Sequence, residues 1–222
     1  MERETWTVLD TFVKRPSGSH LRVIPLITAV TLTILYSILV QTSWAAVIHC
    51  PDTTAVCNGT SGDDIIIGPY STGGTIHGLA GNDYIIGSLS SDAPNYIWGE
   101  NGNDIIIGGH GNDGLYGGLG NDKYDGFYGD DTIYEDSLIE GSLVSNDDVI
   151  SSGPGDDYIV AGEGSDKIHT GPGNDLIFTS AHFRDFSYDS LDCGSGSDQV
   201  LIFNSGDGDT AFNCEVIYDN DG

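Results

Sequence analysis

The sequence predicts an all-β solenoid of short parallel strands, preceded by an apolar helical segment. Three observations predict it: a nine-residue Gly- and Asp-rich repeat, an aliphatic residue at one fixed place in most repeats, and an uncharged stretch of eighteen residues, Val23 to Val40, behind a basic leader. Charge narrows the function. The chain has 34 acidic and 7 basic residues, a net charge of −27. Arg3, Lys14, Arg15 and Arg22 precede residue 46, so residues 46–222 carry 31 acids against 3 bases, or −28. Such a surface repels phosphate backbones, which excludes nucleic acid as a partner. So many acids with few large apolar residues leave a chain disordered, unless cations neutralise them as it folds.

In chain order, residues 1–45 are expected to be a signal peptide or a membrane anchor. The stretch 23–40 is near the lower limit for spanning a bilayer and long for a signal core. Ser43-Trp44-Ala45 offers small residues where a signal peptidase reads. Both alternatives place residues 46–222 outside the cell, secreted or at its surface, and any membrane contact runs through 23–40. The four cysteines all lie in that exported part. Cys50 and Cys57 bracket a short loop before the repeats, in a cap of residues 46–58; Cys193 and Cys214 bracket the last repeat and lead into a cap of residues 202–222. Disulfides 50–57 and 193–214 are expected, with two other connectivities open. No CxxC or nearby His pair favours zinc instead.

Between the caps, residues 59–201 follow the ruler. Residues 99–134 divide without insertion into GENGNDIII, GGHGNDGLY, GGLGNDKYD and GFYGDDTIY. The same template places Asp at the sixth position at Asp64, Asp83, Asp104, Asp113, Asp122, Asp131, Asp148, Asp157, Asp166, Asp175 and Asp198. The first six residues of each block need the backbone freedom of Gly and form a turn. The last three form a strand whose middle side chain points one way and its neighbours the other. Two blocks make a coil of eighteen residues, and stacked coils bury the eighth-place residues: Ile66, Ile76, Ile85, Ile97, Ile106, Leu115, Tyr124, Ile133, Ile150, Ile159, Ile168, Ile177 and Val200. Tyr124 needs a partner for its hydroxyl or a tilt to solvent. Blocks 68–77 and 87–98 are irregular, the second with Asn95 where Asp is expected; 135–142 counts as one degenerate half-coil and 179–192 as a loop.

Stacking sets sixth-place carboxylates beside one another, where they repel unless a cation lies between them. Carboxylate and carbonyl oxygens in a flexible loop suit Ca²⁺ better than Mg²⁺ or zinc. The blocks resemble the GGxGxDxUx repeats of RTX, or hemolysin-type, calcium-binding proteins, over roughly residues 59–201. The resemblance implies a right-handed parallel β-roll with several Ca²⁺ ions between successive turns, held by the eleven aspartates named above. Carried over block by block, it pairs Asp64, Asp83, Asp104 and Asp122 in series on one edge, with Asp157 and Asp175 further along. The other edge then pairs Asp113, Asp131, Asp148 and Asp166.

Catalysis is not expected. There is no HExxH, no G-x-S-x-G and no long stretch outside the repeats. His77, His110 and His169 read as solvated residues. One feature exceeds the family pattern: Ile65, Ile67, Tyr84, Ile86, Ile105 and Ile107 lie beside the core positions on one outward face, and Tyr96 and Trp98 on the other. Exposed apolar strands ask for a cover: a second copy, a cell-surface partner, or loops 69–75 and 88–95. The expected role is an exported calcium-binding structural or adhesive element that folds on meeting Ca²⁺. The alternative is an accessory or targeting module for a separately encoded enzyme or toxin.

Overall fold

In the computed structural model, the described residues are 45–53, 56–90, 92–135, 146–162, 164–179, 188–202 and 209–219. The expected signal or anchor segment lies outside them. Two nine-stranded parallel sheets face each other, and the chain alternates between them at almost every step. The first sheet stacks Val47–His49, Ile65–Ile67, Tyr84–Ile86, Ile105–His110, Lys123–Tyr128, Val149–Ser151, Lys167–His169, Ser190–Asp192 and Thr210–Phe212. The second stacks Val56–Asn58, Thr75–Ala80, Tyr96–Asn101, Gly114–Leu119, Thr132–Tyr134, Tyr158–Val160, Leu176–Phe178, Gln199–Ile202 and Val216–Asp219. No helix occurs among the described residues.

Register follows the eighth-place residues. Ile66, Ile85, Ile106, Tyr124, Ile150, Ile168 and Leu191 stack in one row, and Ile76, Ile97, Leu115, Ile133, Ile159, Ile177 and Val200 in the other. The two rows meet between the sheets as one buried core. Burying each aliphatic side chain contributes about 1.5–3 kcal/mol, so a core one residue deep per strand still accumulates with each coil. Tyr124 is buried, and its hydroxyl donates to the Glu135 carbonyl at 3.2 Å.

The turns need conformations that most residues resist. Fourth-place Gly102 has φ 138°, and a Cβ there would overlap the Gly81 carbonyl of the coil below, so only glycine lets the coils close to strand spacing. The second place is also left-handed, even where it is not glycine: Leu79, Glu100 and Phe127 have φ 81°, 74° and 78°.

Two sequence expectations need correction. The expected caps, 46–58 and 202–222, contribute strands to both sheets, and Cys57 occupies a core position in register with Ile76. The expected disulfides 50–57 and 193–214 tie these end strands down. The segment 179–192 is not only a loop, because Ser190–Asp192 joins the first sheet with Leu191 in the core. Finally, 135–142 does not count as a half-coil in the register: Val149 pairs with Lys123 and Tyr158 with Thr132, each 26 residues apart rather than 18.

Candidate metal centres

The sixth-place residue ends each turn just before its strand, so its carboxylate is carried back under the turn and out of solvent. None of the eleven predicted aspartates is more than 2% exposed. In each turn the main-chain N–H of that residue donates to Oδ1 of its counterpart in the next coil. One edge runs Asp64 to Asp83 at 2.8 Å, Asp83 to Asp104 at 2.7 Å, Asp104 to Asp122 at 2.7 Å, Asp122 to Asp148 at 2.6 Å and Asp148 to Asp166 at 2.9 Å. It continues through Asp189 to Asp209. The other edge runs Asn95 to Asp113 at 2.6 Å, Asp113 to Asp131 at 2.8 Å, Asp131 to Asp157 at 2.8 Å, Asp157 to Asp175 at 2.9 Å and Asp175 to Asp198 at 2.9 Å, ending at Glu215.

Every predicted aspartate therefore falls on a ladder, and the expected pairs Asp148–Asp166 and Asp157–Asp175 form, but beyond residue 134 the two edges are exchanged. Asp148 and Asp166 follow Asp122, and Asp157 and Asp175 follow Asp131; the expected Asp131–Asp148 pair does not form. Eight extra residues between these counterparts, 26 apart instead of 18, shift the parity of everything after them. Sequence reading missed Asp189, Asp209 and Glu215, whose blocks lack the fourth-place glycine, as that of Asp148 also does; a residue two places before Leu191, Ala211 or Ile217 was the available signal.

Only one oxygen of each carboxylate is used in this way. Oδ2 of Asp83, Asp104, Asp113, Asp131, Asp157, Asp175 and Asp198 is buried and meets no donor. Burial, with like-charged neighbours adding to it, pushes Asp83 up to about 7 and Asp131 to about 8. Asp104, Asp113 and Asp157 rise to about 6, again chiefly through burial. Carbonyls share the same spaces. A methyl on Gly78 would lie 2.5 Å from Asp83 Oδ2 and 2.7 Å from Gly99 O; one on Gly108 would lie 2.7 Å from Asp113 Oδ2 and 2.9 Å from Gly126 O. The first-place glycine thus keeps open a narrow space bounded by oxygens of successive coils. Among the described residues no three Asp, Glu, His or Cys side chains converge on one point, so a cation here draws on carbonyls as well.

Asn95 shows what that space requires. It holds the sixth place in its turn, and its Nδ2 donates to Gly108 O at 3.2 Å and to Asp113 Oδ1 at 3.0 Å. Where the side chain is an amide, a donor fills the gap between carboxylate and carbonyl. Where it is a carboxylate, the gap is bounded by acceptors, which is a cation's coordination set.

Residues 73–93, 90–124 and 144–177 match the model of a family described as RTX calcium-binding nonapeptide repeat (4 copies). The chain carries RTX calcium-binding repeats. No curated protein and no solved structure matches it. The RTX match stops on either side of residues 125–143 and leaves out Asp64, Asp131 and Asp198, which the ladders nonetheless include. RTX repeats bind Ca²⁺, and the hard, all-oxygen donor set found here fits that ion.

The outward apolar positions divide. Ile67 and Ile86 line a cavity of about 520 Å³ with Pro69, Tyr70 and Leu89 from the two irregular turns, so loops give them partial cover. Ile65, Tyr84 and Ile105 remain 44%, 37% and 37% exposed. On the opposite sheet His77, Trp98, Tyr116 and Tyr134 stack ring on ring, with centroids 4.9, 5.0 and 5.5 Å apart. His77 also lies 2.9 Å from Glu100, so it is a packed surface residue rather than a fully solvated one.

Proposed function

We propose that the protein is an exported calcium-binding β-roll whose two aspartate ladders, Asp64 to Asp166 and Asp113 to Asp198, hold Ca²⁺ between coils and make folding depend on it. The observation that carries this reading is the row of buried, donorless Oδ2 atoms beside open carbonyls, set against Asn95, where an amide fills the same gap. Binding only to the folded state stabilises it in proportion to occupancy. At low internal Ca²⁺ the acidic coils repel one another; at high external Ca²⁺ they close. Two disulfides and the uncharged stretch 23–40 support a site of action outside the cell. There the roll serves as a structural or adhesive surface element.

The exposed row Ile65, Tyr84 and Ile105 favours a second reading, an accessory or targeting module that docks a separately encoded enzyme or toxin through that face. Thermal melting of the full chain by circular dichroism, in EDTA and in excess CaCl₂, tests the first reading. One site at about a hundred times its Kd raises the melting temperature by roughly 5–10 °C. Equal melting temperatures in the two conditions sink it. Pull-down with and without chelator separates the second reading from a self-sufficient surface element.

A further inference from the structure

Among the described residues of the two ladders, Asn95 alone carries an amide where the others carry a carboxylate. It stands at the start of its edge: one coil earlier the residue before the paired strand is Gly74, and one coil later the acids begin at Asp113. Its side chain is fully buried, and both polar atoms are used. Oδ1 accepts the Ser88 N–H at 3.3 Å, while Nδ2 donates to Gly108 O at 3.2 Å and to Asp113 Oδ1 at 3.0 Å. The main-chain N–H donates to the same Oδ1 at 2.6 Å, and the carbonyl accepts the Gly114 N–H at 2.8 Å. These bonds fix the orientation of the amide, since turning it over would set its oxygen against two acceptors. The space it fills is the one that lies open elsewhere. A methyl on Gly87 would overlap Gly108 O and lie 2.9 Å from Asn95 Nδ2, just as one on Gly78 would meet Gly99 O and Asp83 Oδ2.

We propose that the Asn95 amide takes the place of the ion at this one junction, so that the coils carrying Tyr96–Asn101 and Gly114–Leu119 lock together without Ca²⁺ and give the calcium-dependent coils a formed edge to close on. This inference rests on the reading of the ladders as calcium sites and says which rung takes none. An ion here would have to displace Nδ2 from both Gly108 O and Asp113 Oδ1, leaving a buried donor without a partner. At Asp83, Asp131 and Asp157 the corresponding atom is a buried Oδ2 with no donor, and there a cation removes a cost instead of adding one. Block spacing agrees, since nine residues, 87–95, precede this strand where a regular block has six, so the nonapeptide ruler is lost at the rung that needs no ion. The remaining contacts across the junction are also independent of metal: Ile97 lies in register with Leu115 in the core, and Trp98 stacks on Tyr116 with centroids 5.0 Å and planes 6° apart.

The test is hydrogen exchange of the full chain, read residue by residue by NMR in EDTA and in excess CaCl₂, with calcium titration by calorimetry beside it. The N–H groups of Asn95 and Gly114 bridge this junction, and those of Asp131 and Tyr158 make the same two bonds further along the edge. In EDTA the first pair is expected to show protection factors about tenfold or more above the second, and in CaCl₂ the difference narrows. Equal protection in EDTA overturns the proposal. Asn95→Asp leaves one oxygen for Ser88 and sets the other against Gly108 O and Asp113 Oδ1 with no hydrogen between them. It is expected to lose the protection in EDTA, to melt below wild type there, and to take up one ion more than wild type. Asn95→Ala is expected to lose the protection without gaining an ion. Wild-type protection in both variants, or no additional ion in Asn95→Asp while the other sites still load, overturns the assignment of this rung and leaves the ladder reading standing. A wild-type chain that takes up no Ca²⁺ overturns the ladder reading and this inference together.

Discussion

Asp131→Asn separates the cost of the ladder from its use. Asp131 titrates at about 8 in the folded chain, against an ordinary 3.8, because burial and then its neighbouring carboxylates oppose its charge. Each pH unit between folded and unfolded titration is worth ~1.4 kcal/mol. At pH 7 the metal-free fold is therefore penalised by up to about 4 kcal/mol, and by about 2–4 kcal/mol once solvent screening at the turn is allowed for. Asparagine removes that penalty. By analogy with Asn95, its Nδ2 finds the first-place carbonyl of the following coil, here Ser152 O, and its Oδ1 still accepts the Asp113 N–H. The variant is expected to melt roughly 5–15 °C above wild type in EDTA at pH 7. In excess Ca²⁺ the order narrows or reverses, since the variant has lost a ligand. Differential scanning calorimetry in the two buffers reads both numbers. A variant that melts below wild type in EDTA refutes the argument, because the buried carboxylate would then be stabilising without a cation.

The pH dependence follows with its sign. Asp83, Asp104, Asp113, Asp131 and Asp157 all hold their protons more tightly folded than unfolded, so metal-free stability is greatest in acid and falls as pH rises from about 4 through about 8. Melts in EDTA decline over that range, and in excess Ca²⁺ the trend turns upward because protons compete with the ion. Gly117→Ala places a methyl onto the Tyr124 hydroxyl and Asp122 Oδ2; urea denaturation is expected to show a loss of about 1–3 kcal/mol, partly restored by adding Tyr124→Phe. The bonds Cys50–Cys57 and Cys193–Cys214 span 7 and 21 residues, so opening the second is expected to cost about 3.4 kcal/mol and the first about 2.5 kcal/mol, read from single-bond Cys-to-Ala pairs by denaturant unfolding.

Much of the molecule is legible in one dimension because a solenoid reuses one local solution. Every coil meets the same neighbours, so a nine-residue pattern names its core, from Ile66 to Val200, and its inward carboxylates without knowledge of the rest. What the pattern cannot carry is which coil lies next after an irregular stretch. Asp122 finds Asp148 at 26 residues and Asp104 finds Asp122 at 18, and nothing in residues 135–142 says whether they add a strand or only lengthen a turn. Asp189 and Asp209 were hidden for a related reason, since without a glycine at the fourth place of the block only pairing across the sheet identifies them.

Sequence alone determined the repeating unit, the aliphatic eighth place and the acidic sixth place, because each depends on residues within about one block, and it favoured both disulfides without excluding the two other connectivities. Tertiary structure alone decided edge parity, the orphaned Oδ2 atoms, the amide of Asn95 in the gap between Gly108 and Asp113, and the burial of Glu135. Each of these is a relation between coils. A carboxylate's electrostatic surroundings are set by what is stacked on it a few ångströms away, not by its neighbours along the chain.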